Sequence, residues 1–185
     1  MHGTPAGQGG TIMAIEKIRK SIETVAEELA RHPDAAVSED NTAVAVMKEG
    51  LCCRIQGPGG AELITDMPET IGGDGAALTP GWYLRAALAS CDATVITMRA
   101  ARLGIALTAL EVTVNSSSDN RGLLGAGDDA HPGPLEVRVH VRIAANGASP
   151  EQLCEIVEWA ERHSPVGDAL RRAIPCSVEI DTGPG

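Results

Sequence analysis

Five cysteines, Cys52, Cys53, Cys91, Cys154 and Cys176, are the residues of this chain best suited to covalent chemistry. Cys91 stands out because it falls midway along the apolar stretch between Thr79–Pro80 and Leu103–Gly104. A thiol enclosed in such a stretch is either inert packing or a shielded nucleophile. A nucleophilic thiol reacts as its thiolate, and an ordinary cysteine has a pKa of ~8.5, so a catalytic one needs a nearby cation or hydrogen-bond donor. On a helix the neighbours of Cys91 at i±3 and i±4 are Ala87, Leu88, Thr94 and Val95, none of them cationic, and the adjacent Asp92 opposes a thiolate. An activating cation must therefore come from another segment or another subunit. The five histidines are scattered and no CxxC occurs, so a structural zinc site is not expected. No motif places a His–Asp pair behind a serine.

The element carrying Cys91 has clear ends. Thr79 suits the N-cap, Pro80 the first helical position and Gly104 the left-handed C-terminal position. Between them Leu84, Leu88, Val95, Ile96 and many alanines are apolar around most of the circumference, which predicts a central helix enclosed by other structure. Arg85, Asp92, Arg99 and Arg102 interrupt it and argue against a membrane span. The chain of 185 residues has no Phe, one Tyr and two Trp, so its core must be built from small aliphatic side chains. The formal net charge of −10 opposes phosphate backbones, and few aromatics are available for base stacking, which excludes nucleic acid as a partner.

Residues 1–11 read as a flexible leader, with no basic start followed by an apolar run and with Met13 as an alternative start. Residues 12–40 read as an amphipathic helix and linker, the stripe being Ile15, Ile18, Ile22, Val25 and Leu29, closed by Pro33. Residues 41–185 read as one domain. An odd cysteine count without a signal segment points to reduced thiols in the cytoplasm.

Within the domain, the region from Asn41 to Asp66 predicts three short strands joined by tight turns. On one of them Cys52 and Cys53 face opposite ways, one thiol buried and one exposed. A half-buried strand is predicted over Ala109–Ser116, then a long polar loop, then a cleanly alternating strand over Leu135–Ala145 with His140 on its polar face. Ser149–Pro150–Glu151–Gln152 is a capping-box start for a helix running to His163, in which Cys154 is expected to pack. A short helix begins at Ser164–Pro165, and Cys176–Asp181 is expected to form a final strand. The class is α+β with a largely antiparallel sheet and helices on one face.

The run Thr79–Pro80–Gly81–Trp82–Tyr83–Leu84, the later Ala87–Leu88–Ala89–Ser90–Cys91, and His163–Ser164–Pro165–Val166 resemble the OsmC and organic hydroperoxide resistance family over about Asn41 to Asp181. The resemblance implies antiparallel sheets wrapped around long central helices in an intertwined homodimer. It also implies a thiol peroxidase that reduces small apolar organic hydroperoxides without cofactor or metal. Cys91 matches the attacking cysteine. Ser164 stands at the place of the second, resolving cysteine, and Gly81 at that of a glutamate orienting an activating arginine. The loop Met67–Leu78 has no arginine, which leaves Arg54 as the nearest activator. Trp82, Tyr83, Gly81 and His163 are implied to line the substrate pocket, although Trp82 and Tyr83 suit core or dimer-interface positions equally well. Ser164 cannot form a disulfide, so an external thiol must complete the cycle. The alternative is a dimer of the same fold that has lost peroxidase activity and binds a small apolar ligand or partner.

Overall fold

A computed structural model describes residues 8–183, with side chains from Met13 onward. The expected leader falls outside the described residues up to residue 7, and Gln8–Thr11 already belong to the first helix. In chain order the elements are α1 (Gln8–Arg31), β1 (Val44–Glu49), β2 (Cys52–Gln56), β3 (Glu62–Thr65), α2 (Pro80–Arg102), β4 (Leu107–Ser118), α3 (Asn120–Leu124), β5 (Pro134–Ala145), α4 (Pro150–His163) and α5 (Pro165–Arg171). The fold is α+β with antiparallel pairing throughout.

The expected sheet is in fact two. One has the order β1-β2-β3 and the other pairs β4 with β5 over almost their whole length. Register across the long pair sets Leu110 opposite Ile143, Val112 opposite Val141 and Val114 opposite Val139. These three pairs form one apolar face, because strand side chains alternate between faces. His140, opposite Thr113, lies on the other, exposed face.

That apolar face packs on the helices. Ile96, Ala100, Ile156 and Ala160 form the buried centre between α2 and α4, with Leu110, Val112, Val141 and Ile143 against it. Alanines at this junction let the two helices approach closely. Thr79 accepts a hydrogen bond from Trp82 N at 3.2 Å, fixing the start of α2, and Gly104 with φ 70° turns the chain out of it. Ser149 and Gln152 form the reciprocal capping box at the start of α4. Arg85 donates to Ser116 Oγ at 3.1 Å and ties α2 to β4.

The loop between β3 and α2 is organised by Asp66, which is 1% exposed. Its carboxylate accepts from the backbone N–H groups of Met67, Asp74 and Ala76. The bonds from Ala76 and Met67 hold its carboxyl below the ordinary carboxylate range. Gly73 is required here, since a Cβ would collide with the Met67 carbonyl.

Several expectations are corrected. The final strand is absent: residues 173–183 have no regular structure, and Val178 and Ile180 are 80% and 82% exposed. The alternation is there, but among the described residues no strand lies beside it to complete a ladder. The long polar loop contains α3, capped by Asp119, which accepts from Arg121 N at 3.0 Å. Cys52 and Cys53 are both half-buried rather than one in and one out, because β2 is the central strand of its sheet. Cys154 is exposed, not packed: Leu153 and Val157 take the core-facing positions of α4 beside it. No described helix is long and apolar enough to cross a membrane.

Candidate active site

Cys91 lies midway along α2, half-buried, where α2 meets the junction of α4 and α5. Ser164 forms that junction and is fully buried. Its hydroxyl oxygen accepts the Gly167 N–H at 3.1 Å, the N-cap bond of α5. With a lone pair so engaged, the hydroxyl hydrogen is free to point elsewhere, and Ser164 Oγ donates it to Cys91 Sγ at 3.4 Å. Cys91 and Ser164, 73 residues apart in the chain, are thus brought into direct contact.

Cys91 also opens onto a cavity of about 540 Å³. Ile22 of α1, Val95 and Met98 of α2, and Pro165 of α5 supply its apolar walls. Arg99 and Arg102 of α2 and Trp159 and His163 of α4 supply its polar and aromatic groups. The rings form a stack: Trp159 and His163 are nearly parallel at 9° with centroids 3.7 Å apart, and the Arg99 guanidinium lies 4.8 Å from the indole centroid. His163 Nδ1 lies 2.7 Å from the Trp159 carbonyl oxygen, one turn earlier on the same helix.

On another side of the thiol lies an acidic pair, Asp92 completely buried and Glu161 half-buried. Neither Asp92 carboxyl oxygen meets an N–H or hydroxyl donor among the described residues. Burial first, then the Asp92 charge and a hydrogen bond to Asp92, push the Glu161 carboxyl up, while the Arg171 charge pulls it down. A hydrogen bond between two carboxyl groups needs a proton, and the upward shift of Glu161 favours its carrying one. Arg171 reaches Glu161 twice, through its backbone oxygen and, at 3.6 Å, through its carboxylate.

The remaining sequence candidates are placed apart from Cys91 within one chain. Arg54 sits on β2, 3.6 Å from Glu62, in the sheet that packs chiefly against itself. Gly81 lines a separate cavity of about 560 Å³ between the start of α2, β4 and α3. Trp82 and Tyr83 stack edge to face at 5.2 Å, and Tyr83 Oη donates to the Ile64 carbonyl at 3.3 Å, fastening β3 to α2. Neither ring lines the Cys91 cavity, whereas His163 does.

Arg99, Arg102, Trp159 and the Asp92–Glu161 pair are site features that reading the sequence missed. Arg102 was within reach: eleven residues is close to three helical turns, so it shares a face with Cys91. The spacing of Trp159 and His163, i and i+4, likewise marks a shared face. Nothing local marks Glu161 as the partner of Asp92.

The site is thus a half-buried helical thiol under a serine hydroxyl, set in an α+β frame of antiparallel sheets. The family model described as OsmC-like protein matches residues 73–179, more than half of the chain. The chain belongs to the OsmC-like protein family. Solved structures agree in fold. An OsmC-like protein from Mycoplasma pneumoniae is 17% identical with TM-score 0.63, over 74% of this chain and 91% of that one. An OsmC-like protein of unknown function from Vibrio cholerae is 13% identical with TM-score 0.60, over 71% and 94%. An organic hydroperoxide resistance protein OsmC from Legionella pneumophila is 24% identical with TM-score 0.56, over 73% and 91%. No curated protein matches the chain.

Proposed function

We propose that this protein is a one-cysteine thiol peroxidase that reduces small apolar organic hydroperoxides with Cys91 and an external thiol, and that it works as a homodimer in the reducing cytoplasm. The observation that carries the reading is the Ser164 hydroxyl on the Cys91 sulfur at 3.4 Å, beside an apolar cavity large enough for a small molecule. The Cys91 thiolate attacks the terminal peroxide oxygen. The S–O bond forms as the O–O bond breaks, and the departing alkoxide takes up a proton to leave as an alcohol. The sulfenic acid left on Cys91 finds a hydroxyl, not a thiol, at Ser164. An external thiol therefore condenses with it, releasing water, and a second external thiol releases Cys91 and a disulfide. The Legionella relative's description as an organic hydroperoxide resistance protein supports the substrate class.

Two observations support the dimer. An open groove of about 900 Å³ is walled by Leu88, Val137, Val139 and Val157, and the unpaired Val178 and Ile180 lie exposed. The β1–β3 sheet exposes Val44, Val46 and Leu63. A second copy that exchanged these elements would cover them.

Two observations favour the non-enzymatic reading: Arg54 is paired with Glu62, and Gly81 offers no carboxylate. The two readings separate on peroxide consumption. With cumene hydroperoxide and excess dithiothreitol, the wild-type protein is expected to consume peroxide and Cys91→Ser to fall to the background rate. Equal rates in the two proteins would leave the cavity as a binding site only.

A further inference from the structure

The peroxide reaction proposed above moves one proton from a thiol to an alkoxide, and Ser164 is not an acid or base of suitable strength to carry it. We propose that His163 is the acid–base residue of Cys91, taking the thiol proton and delivering it to the leaving oxygen. This rests on the thiol-peroxidase reading.

The argument begins with which groups face the cavity. Among the described residues its charged or titratable lining is Cys91, Arg99 and Arg102 from α2 and His163 from α4; α1 contributes Ile22 and α5 Pro165. Guanidinium groups stay protonated and cannot cycle a proton. The Asp92–Glu161 pair lies elsewhere, Asp92 fully buried and Glu161 lining the other groove. Imidazole is the side chain whose ordinary chemistry gives and takes a proton near neutrality.

Its contacts leave one ring nitrogen free for that task. A carbonyl oxygen only accepts, so the 2.7 Å contact with Trp159 O requires the proton on Nδ1. Nε2 is then the nitrogen able to take up a second one. Stacking on Trp159 at 3.7 Å holds the ring plane, and the next residue is Ser164, whose hydroxyl touches the sulfur. The ring and the thiol thus meet at one cavity across one helix junction.

The step balances. Nε2 accepts the Cys91 proton through water in the cavity that both residues line, leaving thiolate and imidazolium. The sulfur gives two electrons to the peroxide as S–O forms and O–O breaks, and imidazolium protonates the alkoxide. The products are sulfenic acid, alcohol and neutral His163.

The test compares wild type with His163→Gln, which keeps an N–H donor for the Trp159 carbonyl but cannot shuttle a proton. Two quantities are read: kcat/KM for cumene hydroperoxide against pH, and the rate of Cys91 alkylation by iodoacetamide at pH 7, located by mass spectrometry. His163→Gln is expected to lower kcat/KM by on the order of 100-fold, to remove one limb of the pH profile, and to slow alkylation. An unchanged pH profile with unchanged alkylation overturns the role of His163 and leaves the thiol-peroxidase reading standing. If the wild type consumes no peroxide through Cys91, the thiol-peroxidase reading fails, and the role of His163 in peroxide reduction falls with it. The alkylation comparison then still shows whether His163 activates the thiol. Should His163→Gln fold poorly, His163→Ala with added imidazole decides: recovered turnover supports proton transfer, and no recovery in a folded protein opposes it.

Discussion

Replacing Ser164 by cysteine should give Cys91 a thiol with which to close a disulfide. The Ser164 oxygen is 3.4 Å from Cys91 Sγ, and a disulfide needs ~2.05 Å, a gap of about 1.4 Å that the longer C–S bond and a small rotation of either side chain can close. The two positions are 73 residues apart, and the chain-entropy relation gives about 4 kcal/mol of stabilisation for a loop of that length. For a chain of this size that corresponds to a rise in Tm of roughly 8–16 °C in the oxidised variant, an upper range because any strain subtracts from it. The assay treats the protein with one equivalent of hydroperoxide and titrates thiols. Wild type should lose one thiol and gain a dimedone-reactive sulfenic acid on Cys91. Ser164→Cys should lose two thiols, gain no dimedone adduct and melt higher until reduced. Oxidised glutathione serves as a control that tests proximity without peroxide chemistry. A variant that forms the bond with glutathione but not with peroxide would refute the nucleophilic role of Cys91. One that forms it with neither would refute the placement of Ser164 against the sulfur.

Two further outcomes follow from the buried pair and the exposed surfaces. Glu161 is raised above its ordinary value of 4.5, so its contribution to stability is complete below that pH and is lost as pH rises through the raised value. Glu161→Gln keeps a donor for Asp92 with no proton to lose, so its Tm should vary less with pH above 4.5, and a scanning-calorimetry profile parallel to wild type would contradict the shared proton. Light scattering at micromolar concentration should give about twice the chain mass of 19.1 kDa, a monomeric mass being incompatible with exchange of the exposed elements between copies.

Much of this was legible locally because its causes are local. Thr79–Pro80 and Gly104 bound α2 through capping and backbone preference, Ser149 and Gln152 start α4, and strict alternation from Leu135 to Ala145 defines β5. The same rules failed at Cys176–Asp181, where alternation states a capacity to pair but a strand exists only beside a partner. They failed again for Cys52 and Cys53, whose exposure depends on what covers each face of the sheet.

The sequence by itself determined the helix that carries Cys91 and the place of the thiol midway along it, because both follow from residues within a few turns. Only the tertiary structure decided what the sulfur meets. Ser164, Trp159, His163 and Glu161 arrive from α4, α5 and the turn between them, some seventy residues along the chain. Their distances to α2 are set by how alanines at the α2–α4 contact let the two helices close.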